Sequence, residues 1–197
     1  MKIDYFYSLM SPWAYFGAQS FYNLQKKYHF TINHLPFDIL KLFNISGGLP
    51  LGKRSEQRKA YRMMELKRWQ KKLQLPINFN PKFFPPSDVI KASSMILSIN
   101  DENVQNLLSI NFLKCLWVEE KDIGDTKTLL DICKKMNIDG LKILEKSKLF
   151  EKKYHSLSDI AAKQNVFGSP SYILDNEVFW GQDRLDLLEE KILKTNK

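Results

Sequence analysis

Sulfur chemistry is nearly missing from this chain. Only two of its 197 residues are cysteine, Cys115 and Cys133, and they form no C-x-x-C pair. They fall in regions that read as separate helices, so structural thiols kept reduced in a cytosol are expected. Histidine is equally sparse. His29, His34 and His155 have no partner four residues away and no cysteine nearby, so no zinc site is expected. No apolar run approaches the ~20 residues that span a bilayer. Met1-Lys2-Ile3-Asp4 enters a strand at once, without the apolar core of a leader, so a cytoplasmic protein without a membrane partner is expected.

Charge of one sign is not missing: 30 lysines and arginines stand against 22 acids, a net charge of +8. They are dispersed rather than gathered in one tract. In the densest part, Lys53 to Lys72, the apolar Met63, Leu66, Trp69 and Leu73 recur at helical spacing, and Lys67, Arg68 and Lys71 fall on another side. That is a solvated helix face, and no nucleic-acid partner is expected.

What the chain has in quantity is aromatic residues, 13% of the total, within an apolar content of 44%. At this length the chain buries a real core. Ile3, Tyr5 and Tyr7 alternate with Asp4 and Phe6 as a strand, and a helix follows. Ser11 is a favoured N-cap, and Pro12 fits the first helical position, where its missing N–H costs nothing. The strand therefore delivers a hydroxyl to the positive end of a helix, a place that holds an anion. A Ser-Pro pair by itself is also an ordinary cap, so a second feature must converge on the same point.

From Ser11 to about Lys27, Ala14, Ala18, Phe21 and Gln25 share one helix side, with Tyr15 and Tyr22 beside them. Gly17 weakens this helix by about 1 kcal/mol relative to alanine, which points to close packing. Phe30 to Phe37 completes a β-α-β unit with parallel pairing. A loop is expected from Asp38 to Ser55, centred on Ser46-Gly47-Gly48-Leu49-Pro50-Leu51-Gly52. Helices follow: 55–73, one capped by Ser87 or Asp88 and running to about 98, then 103–120, 126–136, 139–147 and 150–164. Strands at 171–174 and 178–180 are joined by Asp175-Asn176-Glu177, and a last helix opens at Gly181-Gln182-Asp183 with Asp183 as cap and Leu185, Leu188 and Ile192 as its apolar stripe.

Without the helical block, this order is β-α-β-α-β-β-α, that of thioredoxin. The expected fold is α/β: a thioredoxin-like domain of residues 1–54 and 149–197, with an inserted all-helical domain, 55–148. In such a fold the reactive turn follows the first strand. Here it reads Ser11-Pro12-Trp13-Ala14, with no sulfur at either end, which excludes dithiol redox chemistry at that turn. Ser11 can instead donate a hydrogen bond to the sulfur of a thiol ligand, favouring the thiolate. A serine nucleophile is the competing reading, but no G-x-S-x-G elbow is present. Gly168-Ser169-Pro170 is the second feature, the loop that faces the reactive turn and exposes backbone groups to an extended ligand.

Asp4-Tyr5-Phe6-Tyr7-Ser8-Leu9-Met10-Ser11-Pro12-Trp13-Ala14-Tyr15, Phe167-Gly168-Ser169-Pro170-Ser171-Tyr172 and Val178-Phe179-Trp180-Gly181-Gln182-Asp183-Arg184-Leu185 resemble the 2-hydroxychromene-2-carboxylate isomerases. Those enzymes and the kappa-class glutathione transferases are DsbA-like proteins. The resemblance implies glutathione as cofactor, with Ser11 hydrogen-bonding its sulfur. It implies that Ser169, before a cis Pro170, offers its backbone to the cysteinyl part, and that Gln182 and Asp183 hold the γ-glutamyl end. Arg58, with Lys53 as a rival, stands where the family often has a lysine near the glycyl carboxylate or the substrate. Gly48 occupies the place nearest a family asparagine. The implied reaction is isomerisation of an electrophilic or aromatic small molecule through reversible thiolate addition to an enone, in a homodimer. The alternatives are a kappa-like transferase and a DsbA-like glutathione- or peptide-binding protein without turnover.

Overall fold

Ile3, Tyr5 and Tyr7 project to one face of a strand and Phe6 to the other, and all four are buried. A strand with apolar residues on both faces belongs inside a sheet covered on both sides. In a computed structural model, which describes residues 1–195, it holds that place. β1 (Lys2–Tyr7) is flanked by β2 (Thr31–Pro36), parallel, and β3 (Ser171–Leu174), antiparallel, with β4 (Glu177–Trp180) beyond, in the order β2-β1-β3-β4. The register sets Tyr5 opposite His34 and Tyr172.

The parallel β1–β2 pair requires a crossover, supplied by α1 (Pro12–Tyr28). Its expected inner face of Ala14, Ala18, Phe21 and Gln25 is buried. Gly17 is packed as its position suggested: a Cβ there would lie 2.8 Å from Tyr172 Oη and 2.9 Å from Gln182 Cβ. Gly17→Ala gains about 1 kcal/mol of helix propensity but overpacks, at about 1–3 kcal/mol. A net loss of about 1 kcal/mol is expected in urea unfolding, and a stabilised variant would contradict the close approach.

The stretch expected as a loop between Asp38 and Ser55 contains a helix, α2 (Ile39–Ser46). Asp38 caps it, its Oδ1 accepting from the N–H of Leu40 at 2.8 Å and of Lys41 at 3.2 Å. Ile39, Leu42 and Phe43 recur at helical spacing, and Gly47, at φ 76°, is the left-handed stop. The expected loop thus shrinks to residues 47–50, directly after the helix. A short 3-10 turn, Leu51–Lys53, leads into α3 (Glu56–Leu73), capped by Ser55.

Helices continue without a strand through α4 (Ile90–Leu97), α5 (Glu102–Trp117), α6 (Thr126–Lys135), α7 (Gly140–Ser147) and α8 (Glu151–Lys163). The N-cap of α4 is Val89, which has no side chain able to cap, rather than Ser87 or Asp88; Asp88 sits one residue earlier, its Oδ1 accepting from Ile90 N–H at 2.9 Å. Asp175 and Asn176, both at positive φ, form the tight turn between β3 and β4. The last helix begins later than expected. Gln182–Arg184 is a 3-10 turn, α9 starts at Leu185 and runs to Thr195, and Asp183 pairs with Arg184 at 3.1 Å instead of capping.

Two apolar clusters sandwich the sheet. Tyr5 and Tyr7 join Phe21, Leu66, Met95, Phe112, Leu116 and Leu188 on one face, so the sheet and the helical stretch share a core. Phe6, Leu35 and Phe37 join Leu42, Tyr154 and Leu157 of α2 and α8 on the other. Among the described residues no helix is long and apolar enough to cross a membrane.

Candidate active site

β1 ends at Tyr7, and the chain turns so that Ser11 N–H donates to Ser8 C=O at 2.9 Å. This places Ser11 in extended backbone at the N-cap of α1, where its Oγ accepts from Ala14 N–H at 3.1 Å. The same hydroxyl donates to the carbonyl of Ser169 at 3.1 Å, across 158 residues of sequence. Ser169 returns the contact, its Oγ accepting from Ser8 N–H at 2.9 Å. The turn after β1 and the loop before β3 are therefore stitched face to face. The Ser169–Pro170 peptide is cis, and Pro170 is buried, its carbonyl accepting from Gly181 N–H at 2.9 Å.

Both serines open onto a cleft of about 410 Å³. Its walls are mostly apolar. Met10 and Trp13 stand beside Ser11, Ile39 and Phe43 come from α2, Phe84 and Pro85 from the segment before α4, and Phe167 and Trp180 from the two ends of the β3–β4 unit. The last two rings meet edge to face, 4.6 Å between centroids. The polar exceptions are Ser11, Ser169 and three arginines, Arg54, Arg58 and Arg62, and no acidic residue lines the cleft.

The sequence-level candidates separate here. Ser11, Ser169 and Arg58 line the cleft; Lys53, Pro170, Gln182 and Asp183 do not. Lys53 is exposed in the 3-10 turn, Gln182 is buried against Gly17, and Asp183 is turned to Arg184. Gly48 does line the cleft, and a Cβ there would run into the Phe43 ring. Only glycine fits that position while Phe43 holds its place.

Arg54 and Arg62 escaped the sequence reading, although the spacing 54, 58, 62 is that of one helix face. Burial pulls the Arg62 guanidinium down to about 10, with the Arg54 charge adding to the effect, and burial also lowers Arg54. Arg54 is held in place: its Nε donates to Leu49 C=O at 2.8 Å, and its guanidinium lies 5.8 Å from the Phe43 ring centre. The α2 wall was missed with its helix. Neither cysteine is near this chemistry. Both are buried elsewhere in the core, which pushes the Cys115 thiol up to about 12 and that of Cys133 to about 11.

Known proteins bear on this geometry. The DSBA-like thioredoxin domain matches residues 2–193. The chain is 26% identical over 194 residues to a 2-hydroxychromene-2-carboxylate isomerase of Sphingobium xenophagum, covering 97% of each. It is 22% identical over 200 residues to human glutathione S-transferase kappa 1, covering 94% of this chain and 88% of that one. The solved structure of a 2-hydroxychromene-2-carboxylate isomerase superposes with a TM-score of 0.83 at 20% identity, covering 99% of this chain and 96% of the other. The cytosolic disulfide reductase DsbM of Pseudomonas aeruginosa superposes at 0.70 and 13% identity, covering 100% and 98%. With residues 2–193 matched and the expected sheet order in place, the chain belongs to the DSBA-like thioredoxin domain family.

Proposed function

We propose that this protein is a glutathione-dependent isomerase of the 2-hydroxychromene-2-carboxylate isomerase type, with Ser11 stabilising the thiolate. The observation that carries this reading is the hydroxyl of Ser11, at the N-terminus of α1, spending its one proton on the carbonyl of Ser169. An N–H from the cysteinyl part of glutathione, arriving at that carbonyl, releases the hydroxyl to donate to the sulfur beside it. The helix dipole and the charge-assisted bond then both favour S⁻ over S–H. No carboxylate in the cleft opposes that charge.

Glutathione, when bound, would supply a nucleophilic thiolate for reversible addition to an enone, with Ser11 holding the sulfur ionised and the backbone of Ser169 holding the cysteinyl part. The flat apolar walls, Trp13 and Phe84 among them, suit an unsaturated or aromatic body. Arg58 is the cation for the glycyl carboxylate. Lys53, the rival for that carboxylate, does not line the cleft, and the roles proposed for Gln182 and Asp183 require glutathione to extend beyond the cleft lining.

Thermal unfolding with glutathione and with S-methylglutathione tests the binding. Ligand at a hundred times its dissociation constant adds about 2.7 kcal/mol to stability, and no rise in Tm with either ends the reading. A test enone then separates the outcomes. Isomerisation without loss of free thiol supports the isomerase, stoichiometric thiol consumption the kappa-like transferase, and binding with neither the non-catalytic binder.

A further inference from the structure

Three guanidiniums on one wall are more cation than one glycyl carboxylate balances. Among the described residues, Arg54, Arg58 and Arg62 make no salt bridge with any acid, and none lines the cleft. Arg58 is exposed, but Arg54 and Arg62 are half-buried. Arginines remain charged even here, so the wall keeps partly desolvated like charges close together. Such an arrangement is unfavourable until an anion enters it. The anchoring of Arg54 to Leu49 C=O and over Phe43 fixes its fork in advance, which lowers the cost of ligand binding.

Resting on the glutathione reading, we infer that Arg54 and Arg62 form a second anion site in the cleft, selecting an electrophilic substrate that carries a doubly charged oxyanion, a phosphate or a paired dicarboxylate, beside its flat apolar part. A single carboxylate leaves one of these two guanidiniums unbalanced. A doubly charged group engages both forks, each suited to bidentate oxygen pairs. The neighbouring Phe84, Pro85 and Trp13 supply the apolar seat for the rest of the molecule.

The probes are phenyl phosphate, phthalate and benzoate, titrated calorimetrically into protein saturated with S-methylglutathione, at a pH well above the second phosphate pKa of about 6. Phenyl phosphate or phthalate is expected to bind about tenfold tighter than benzoate, and whichever of the two is tighter assigns the oxyanion. Arg62→Gln is expected to weaken the tighter probe about tenfold or more, the value of a lost charged hydrogen bond. The same variant should change S-methylglutathione affinity less than about threefold. Arg62→Lys, keeping charge without the fork, should fall between, and its unfolding midpoint checks that the fold is intact. Equal affinity for benzoate and the dianions overturns the proposal. So does a dianion that binds only when S-methylglutathione is left out, because the arginines then serve the tripeptide's own carboxylates; the glutathione reading survives that result. Loss of S-methylglutathione binding in the unsubstituted protein sinks the glutathione reading instead, and is read in a separate titration.

Discussion

Ser11→Ala is expected to slow turnover about ten- to a hundredfold at neutral pH, with most of the affinity for glutathione retained. On the proposed function, the lost interaction is one hydrogen bond to an ionised sulfur, worth about 1.5–3 kcal/mol. That returns the thiol by about one to two pKa units toward its ordinary value near 8.5. A deficit of ionisation has a signature that a deficit of packing lacks. The acid limb of the pH–rate profile should move up by about the same one to two units, and the variant should recover most of its rate in alkaline buffer. Ultraviolet absorbance of the bound thiolate should follow the same displaced curve. A rate deficit that persists unchanged at high pH would remove thiolate stabilisation from the role of Ser11. The substitution also removes the N-cap of α1 and leaves the Ser169 carbonyl without its donor, so a stability loss of about 1–2 kcal/mol accompanies it. Assays belong well below the variant's Tm.

Acidification is expected to expose a second large effect, centred on His34. This residue is buried on β2, between Tyr7 and Asn106. Nε2–H donates to the Asn106 Oδ1 at 2.8 Å, and Nδ1 accepts from Tyr7 Oη at 3.1 Å. Asn106 in turn donates to Gln25 at 2.6 Å, and the rings of Tyr5 and Tyr22 close the remaining sides. No carboxylate faces the ring within this set, so a second proton has no counter-charge. Burial pulls the pKa of His34 down to about 4, against an ordinary value of 6.5.

The unfolded chain therefore binds the proton first as pH falls. The stabilisation from neutral His34 is complete above about 6.5 and is lost progressively down to about 4. A displacement of this size amounts to about 3 kcal/mol. His34→Gln should be less stable than the parent at pH 7.5, because Tyr7 and Asn106 lose matched partners. Across the 6.5-to-4 window its stability should fall less steeply than the parent's, with the shared carboxylates cancelling in the comparison. Parallel pH-stability curves from urea unfolding would show that the imidazole is not the group being titrated.

The two predictions differ in how far they were visible along the chain. Ser11 announced itself, because an N-cap is a local object: Ser-Pro after an alternating strand defines where α1 starts whatever surrounds it. The structure shows the same local device at Asp101, Asp125 and Asp139, each of which accepts from the first turn of the helix it precedes, although the sequence reading did not name them as caps. Gly17 declared close packing, although its partners Tyr172 and Gln182 come from the far end of the chain. His34 gave no sign. Burial lowers its pKa against the opposing hydrogen bond to Asn106, and the residues that enclose it, Tyr7 and Asn106 among them, are not near it in sequence.

Errors in reading elements also had local causes. α2 was hidden because Gly47 and Gly48 dominated a stretch whose capping Asp38 and apolar Ile39, Leu42 and Phe43 precede them. Asp183 has the chemistry of a cap, but the 3-10 turn at Gln182–Arg184 spends its carboxylate on Arg184.

By itself the sequence determined the order of the strands and of the helices other than α2, the absence of cysteine from the turn after β1, and the hydroxyl waiting at the start of α1. These follow from short-range rules, in which periodicity, capping and ring constraints act within a few residues. Only the tertiary structure decided that this hydroxyl meets Ser169, that Arg54, Arg58 and Arg62 share a cleft with it, and that Gln182 and Asp183 lie outside the cleft lining. Those outcomes depend on sheet register and on which helix faces are drawn into the core, and burial settles both through contacts between residues far apart in the chain.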